Sequence, residues 1–223
     1  MTFEGESRIN ESRITMNVKE AYNDWSVQYD TNVNPTRDLE GMALREMLGE
    51  LSFGRVLEIG CGTGKNTAWL MTCADEITAV DFSENMLTKA QSKIASDKVH
   101  FVQADVLGTW DFATGIYDLV TFSLVLEHIE DLDVVFEKVA TVTHSGSHVY
   151  VGELHPFKQY SGSKARFETK AGTQVLTAFD HHLSDFLEAA FRSNFELITL
   201  NEHFDNKDRA TLPRILSILL RKK

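Results

Sequence analysis

Val56-Leu57-Glu58-Ile59-Gly60-Cys61-Gly62-Thr63-Gly64 is a short apolar run broken by an acid, followed by three glycines at alternate positions. The apolar run reads as a buried parallel strand, and the glycines as a tight turn that brings backbone close to a ligand. Lys65 to Ala74 reads as the helix that follows. Strand, glycine loop and helix together build a nucleotide-sized site at the carboxyl end of a sheet. A dinucleotide-binding loop is spaced G-x-G-x-x-G, which from Gly60 requires a glycine where this chain has Lys65. The pattern here is instead E-x-G-x-G-x-G.

Outward from this loop, the chain repeats the theme. Ile77-Thr78-Ala79-Val80-Asp81 is a second apolar strand ending in an acid, seventeen residues after Gly64. A carboxylate at the tip of that strand can accept both hydroxyls of a ribose. Val99 to Asp105 is a third strand ending near an acid, and Tyr117 to Ser123 a fourth, running into Leu126-Glu127-His128. In order and spacing, these segments, over about residues 53 to 152, closely resemble the class I methyltransferases that use S-adenosylmethionine, on the small-molecule, ubiquinone-pathway-like side of that family.

The resemblance implies a doubly wound, Rossmann-like α/β fold with a seven-stranded sheet whose last strand is antiparallel. It assigns Glu58, Gly60, Gly62 and Gly64, with Cys61 between them, to the amino-acid tail and ribose of S-adenosylmethionine, and Asp81 to the ribose hydroxyls. Phe82 and Met86 would flank the adenine, Asp105 and Val106 its edge, and Ser123 the methionine part. Core packing competes with the roles of Phe82 and Met86, and a turn cap with that of Asp105. Relatives can carry E-x-x-E-H after the fourth strand, where it binds a divalent metal. Here position 124 is Leu124, so Glu127 and His128 are two ligands from a set that needs more, and no metal is expected. His128 is the candidate general base, since an imidazole suits proton removal at neutral pH; a histidine that only orders its loop is the rival reading.

The rest of the chain organises around this core as a single domain. Residues 1–50 form an N-terminal lid, frayed to about residue 17 and then helical to about Gly49. One apolar face is Val18, Ala21, Tyr22 and Trp25, a second is Leu39, Met42, Met47 and Leu48, and Asn34-Pro35 breaks the two. Residues 51–152 form the cofactor-binding core. Within it Ser83 and Asp131 cap helices, His144 to Ser147 is a turn, and His148 to Gly152 is the fifth strand. Residues 153–182 are an insertion long enough to suggest function, and residues 183–223 carry a helix at Leu183 to Phe191 and strands at Phe195 to Leu200 and Arg214 to Leu220. The lid and the insertion both meet the carboxyl edge of the sheet. They offer Tyr22, Tyr29, His155, Tyr160, Arg166 and His182 as substrate-binding candidates, with His181 nearby.

Composition bounds the partners. There are 33 Asp and Glu against 22 Lys and Arg, a net charge of −11, which gives no basic track for nucleic acid. Cys61 and Cys73 are too few and too close in sequence for a disulfide framework, which points to a reducing cytoplasm. Met1 to Glu20 has no apolar signal core, and no run of eighteen apolar residues occurs, so no membrane partner is expected. Nothing in the sequence fixes an oligomeric state. The expected function is methyl transfer from S-adenosylmethionine to a small molecule. A nicotinamide-dependent oxidoreductase and a non-catalytic cofactor-binding module are the rivals.

Overall fold

A computed structural model describes residues 18–163, 166–169, 172–175 and 178–223, with the backbone alone between 166 and 175. The reading of residues 1 to 17 as frayed, and the side chain of Arg166, lie outside what it describes. Two helices come first, α1 (Val18–Tyr29) and α2 (Pro35–Leu48), and then the sheet begins with β1 (Phe53–Ile59). There follow α3 (Lys65–Leu70), β2 (Ala74–Asp81), α4 (Glu84–Lys93), β3 (Val99–Gln103) and β4 (Tyr117–Ser123). The chain continues through α5 (Leu132–Thr141), β5 (Thr143–Leu154) and α6 (Pro156–Tyr160) to a separate antiparallel hairpin, β6 (Arg166–Thr169) and β7 (Gly172–Val175). It ends in α7 (Leu183–Arg192), β8 (Phe195–His203) and β9 (Ile215–Lys222).

The main sheet has seven strands in the order β3-β2-β1-β4-β5-β9-β8, and β9 runs antiparallel to both its neighbours. Ile59 pairs with both Val80 and Phe122, so β1, β2 and β4 end level with one another. The strand order reverses between β1 and β4, and the glycine loop opens at that point, where such sheets bind ligands. Each central strand is buried almost throughout because helices cover both faces. Val135, Phe136 and Val139 of α5 and Phe186 and Ala190 of α7 pack on Val120, Phe122 and Val151. On the other face Leu44 and Leu48 of α2, Leu70 of α3 and Leu87 of α4 pack on Val56, Ile77 and Leu119.

Helix starts are set locally. The Arg37 N–H donates to Asn34 Oδ1 at 3.0 Å, with Pro35 in the first turn; Ser83 and Asp131 cap α4 and α5 through the N–H groups of Met86 and Asp133. Other local expectations need correction. The first core helix stops at Leu70 rather than Ala74, because Ala74 already pairs with Phe53 in the sheet. The buried face of α2 is Glu40, Gly41, Ala43, Leu44 and Leu48, and Met42 points to solvent. The turn expected at His144 to Ser147 is a bulge inside β5: Tyr117 pairs with Thr143, but Leu119 pairs with His148. No helix joins β3 to β4. That connection is a series of turns held by Trp110, whose indole donates to the Val106 carbonyl at 2.9 Å.

The N-terminal segment does two different things. Helix α2 is part of the body of the domain, packed against β5 and β9. Helix α1 lies against α4 and is tied across the carboxyl edge of the sheet. Among the described residues no helix is long and apolar enough to cross a membrane.

Candidate active site

Glu58 is the last but one residue of β1 and is buried at 4% exposure. Its Oε2 accepts from the Thr67 hydroxyl at 2.6 Å, which ties the strand to the first turn of α3. Burial lifts its pKa to about 8 against that hydroxyl, and the neighbouring Glu40 and Asp81 charges push the same way. Asp81, at the tip of β2, is held by backbone. Oδ2 accepts from the Gly62 N–H at 2.8 Å, and Oδ1 from the Ser83 N–H at 2.8 Å. Burial lifts its pKa to about 6, with the N–H groups of Ser83, Gly62 and Phe82 opposing. Asp81 thus clamps the glycine loop to the end of the neighbouring strand.

The three glycines are not equivalent. A Cβ on Gly60 would stand 2.2 Å from Val125 Cγ2, and one on Gly64 would stand 2.9 Å from Ile94 Cδ1. A Cβ on Gly62 meets nothing within 4 Å. Gly60 and Gly64 make room for protein, whereas Gly62 leaves open space for a ligand. Gly60→Ala, at φ 75°, should therefore cost about 1–3 kcal/mol of stability through overpacking, on top of a left-handed backbone penalty of roughly 1–2 kcal/mol. Gly62→Ala, at φ 53°, should cost only the left-handed backbone penalty, roughly 1–2 kcal/mol. Urea denaturation of the two variants checks this; equal losses would mean that the space beside Gly62 is not open. Cys61 turns away from the loop into the core against the α2, α3 and α4 face.

Helix α1 closes the site from above. The Tyr22 hydroxyl lies 2.9 Å from His128 Nε2, and the Tyr22 ring meets Phe82 edge-on at 5.9 Å. Trp25 packs tilted against the Tyr22 ring at 5.7 Å and meets Tyr29 edge-on at 4.9 Å. The Ser83 hydroxyl donates to Asn23 Oδ1 at 2.6 Å, the Thr63 hydroxyl to Asp30 Oδ1 at 2.6 Å, and Lys93 pairs with Asp30 Oδ2 at 2.9 Å. Met86 is buried beneath this layer, where it fits either a packing or a binding role.

Below the strand ends, Ser123 Oγ accepts from Asn66 Nδ2 at 3.2 Å. The same amide donates to Glu40 Oε2 at 3.0 Å, and Tyr150 donates to Glu40 Oε1 at 3.2 Å. Burial raises the Glu40 pKa. Leu124 follows Ser123 at φ 57°, a left-handed conformation that is strained for leucine, and its N–H donates to the Gly152 carbonyl. The next turn carries Glu127 and His128. Two supports hold it: Glu153 Oε1 accepts from the N–H groups of Val125 and Leu126, and His181 Nε2 binds the carbonyls of Leu126 and Ile129 at 3.2 and 2.8 Å.

The structure brings Tyr22, Phe82, Asp81, Ser123 and His128 together around the loop, keeps Asp105 beside them, next to Ala104 whose N–H donates to the Asp81 carbonyl, and engages the remaining candidates elsewhere. Asp105 is exposed and accepts from the Leu107 N–H at 2.9 Å, which closes its own turn, while the Val106 carbonyl takes Trp110 and Lys138. His155 is buried at the start of α6, where Nδ1 accepts from the Phe157 N–H and Nε2 lies 3.1 Å from Glu202 Oε1. Tyr160 and His182 are exposed and bonded to each other, and the His182 N–H is held by Asp185 at the start of α7. A groove of about 560 Å³ between Asp30 to Asp38 and the Gly64 side of the loop is not the centre of this chemistry. Its Asp30, Asp38, Lys65 and Lys93 are already paired with one another. Sequence reasoning missed Glu40, Asn66, Thr67, Asn23 and Asp30. Only Glu40 left a signal, an acid in step with Leu44 and Leu48 on a buried helix face.

A family model for a methyltransferase domain matches residues 57–151. Over that stretch the chain carries a methyltransferase domain, and it is similar to S-adenosylmethionine-dependent methyltransferases. It is 25% identical to an uncharacterized methyltransferase of Emericella nidulans, over 90% of this chain and 83% of that one. It is 29% identical to the demethylmenaquinone methyltransferase of Lactococcus lactis, over 67% of this chain and 62% of that one. Its fold matches a solved complex of DhpI with SAH at a TM-score of 0.71 and 23% identity, over 91% of this chain and 94% of that one. The match displaces the nicotinamide reading. The site also fits the cofactor of such a methyltransferase: two buried carboxyls suit a cationic ligand, and the space beside Gly62 admits one against backbone.

Proposed function

We propose that this methyltransferase acts on a small-molecule acceptor held between α1 and the turn at Leu126 to His128. The observation that carries the reading is the Tyr22 to His128 contact, which joins the lid to the loop after β4 directly beside Phe82. S-adenosylmethionine supplies a methyl group on a positive sulfur that is already a good leaving group. The chain's own work is to position, to dehydrate and to move a proton. Glu58 would face the cofactor's ammonium group, Asp81, which holds the Gly62 N–H, would also hold its ribose, and Phe82 and Met86 would border the adenine. As methyl transfer proceeds the acceptor's proton passes to the Tyr22 oxygen while the Tyr22 proton moves to His128 Nε2, 2.9 Å away, so the histidine is the final base and the phenol, which burial keeps neutral, relays the proton. The likeness to the demethylmenaquinone enzyme favours the ubiquinone-like branch, and a cytoplasmic setting without a nucleic-acid or membrane partner belongs to the same reading.

Protons give a direct test of Glu58. With a pKa of about 8 it is mostly protonated at pH 7 in the free protein, and a cation beside it lowers that value. The complex then holds fewer protons than its parts, so binding releases protons and tightens as pH rises from about 6 to 8. In the free protein the raised value works against folding. Stability present below the unfolded value of 4.5 is lost as pH climbs through about 8. Calorimetry of S-adenosylmethionine binding at pH 7, in buffers of different ionisation enthalpy, should show net release. No release, or uptake, would remove Glu58 from the ammonium.

The acceptor reading is tested by incubating the enzyme with isotope-labelled cofactor and fractionated small-molecule extract. Label should appear in a small molecule, and Tyr22→Phe should slow its appearance without weakening cofactor binding. Label found only in protein or nucleic acid would overturn the reading.

A further inference from the structure

Glu153 ends the buried part of β5 at 1% exposure, and its two oxygens have different fates. Oε1 takes the N–H groups of Val125 and Leu126 at 2.9 and 2.8 Å, while Oε2 is buried without a partner among the described residues. Glu127, on the turn that Glu153 braces, is itself buried at 6% exposure. Among the described residues neither carboxyl pairs with a lysine or arginine; Glu127 Oε1 has only His128 Nε2, at 3.9 Å. After burial, Glu127 is the group that acts most strongly on Glu153, and both act on the phenol of Tyr22. Tyr22, His128 and Glu127 therefore follow one another in contact, and the Glu153 carboxyl lies within electrostatic reach of Glu127 and Tyr22.

We propose that Glu127 and Glu153 together bind a protonated amine carried by the methyl acceptor. The inference rests on the reading of this region as the acceptor site and names the class of molecule it takes. Bracing the turn needs only one acceptor oxygen, so it explains neither Oε2 nor the burial of a second acid beside it. Two close, buried acids without a cation are a costly arrangement, and one a ligand can relieve. An ammonium offers three N–H donors, enough for both carboxyls at once. A hydroxyl offers one, and an anionic group is repelled. Burial lifts Glu127 to about 7 and Glu153 to about 8, so near neutral pH the pair gives up a proton readily when a cation arrives.

The test is calorimetry on the protein saturated with S-adenosylhomocysteine. Benzylamine is compared with benzyl alcohol and benzoate, and butylamine with butanol and butyrate. Each amine should bind at least about tenfold more tightly than its alcohol, the strength expected of a charge-assisted pair, and the carboxylates should not bind measurably. Glu127→Gln and Glu153→Gln keep the size of the side chain, and the second keeps an oxygen for the two N–H groups. Each should lose at least about tenfold in amine affinity with S-adenosylhomocysteine affinity unchanged, and should melt no lower than the parent because a buried acid is gone. Amines that bind no better than alcohols, or variants that bind them as well as the parent, would overturn the proposal. Failure of S-adenosylhomocysteine to bind would instead strike the cofactor site. The same amine series titrated into the free protein would then still read the carboxyl pair, with the same ranking expected.

Discussion

His128→Ala should lower kcat by about a hundred- to ten-thousandfold, the usual contribution of a positioned general base, and leave S-adenosylmethionine affinity nearly unchanged. The side chain stands on a turn fixed by Glu153 and His181, and its Nε2 faces the Tyr22 hydroxyl rather than solvent. Removing the ring takes away the proton acceptor while these two supports keep the turn in place. Tyr22→Phe is the companion change. It keeps the ring that packs on Phe82 and Trp25 and deletes only the hydroxyl that relays the proton, so the loss should be confined to kcat. Steady-state kinetics beside equilibrium binding separates the outcomes. Turnover within a few-fold of the parent in His128→Ala would make the histidine a loop-ordering residue.

Asp81→Ala should weaken S-adenosylmethionine ten- to a hundredfold, the consequence of losing roughly 1.5–3 kcal/mol of charge-assisted hydrogen bonding. The residue acts twice: it offers a carboxylate to the ribose and fixes the Gly62 N–H, so its loss both removes a contact and frees the loop. Asp81→Asn retains an acceptor for one N–H and should fall between alanine and the parent. Since burial holds the carboxyl at about 6, the comparison belongs above pH 7, where it is ionised in the free protein. Unchanged affinity in the alanine variant would take Asp81 out of the site.

The central sheet and the cofactor side of the site could be read from the sequence because strand ends place them. Once Val56 to Ile59, Ile77 to Val80 and Tyr117 to Phe122 are buried parallel strands, Asp81 and Ser123 must lie at the same edge as Gly60 to Gly64. The acceptor side depends on how distant elements dock, and no local pattern encodes that. His155, Tyr160 and His182 do lie along one run of rings through Phe157, but their polar atoms are spent on one another and on Glu202: His155 Nε2 turns to Glu202 on β8, while Tyr160 and His182 bond each other at the surface. The contact between Tyr22 and His128 spans 106 residues and exists because α1 is tied to Ser83, Thr63 and Lys93. Buried carboxyls were hidden for the same reason. Glu40 becomes internal only when α2 turns that face to Tyr150 and Asn66, which also explains why Met42 is left outside.

The most direct test is a crystal structure of the protein grown with S-adenosylhomocysteine. The ligand should lie along Gly60 to Gly64, with its ribose on Asp81, its adenine beside Phe82 and Met86, its amino group toward Glu58, and its sulfur directed at the volume between Tyr22 and His128. Ligand seated instead in the outer groove beside Arg37, Lys65 and Lys93, or with its sulfur turned away from His128, would contradict the account.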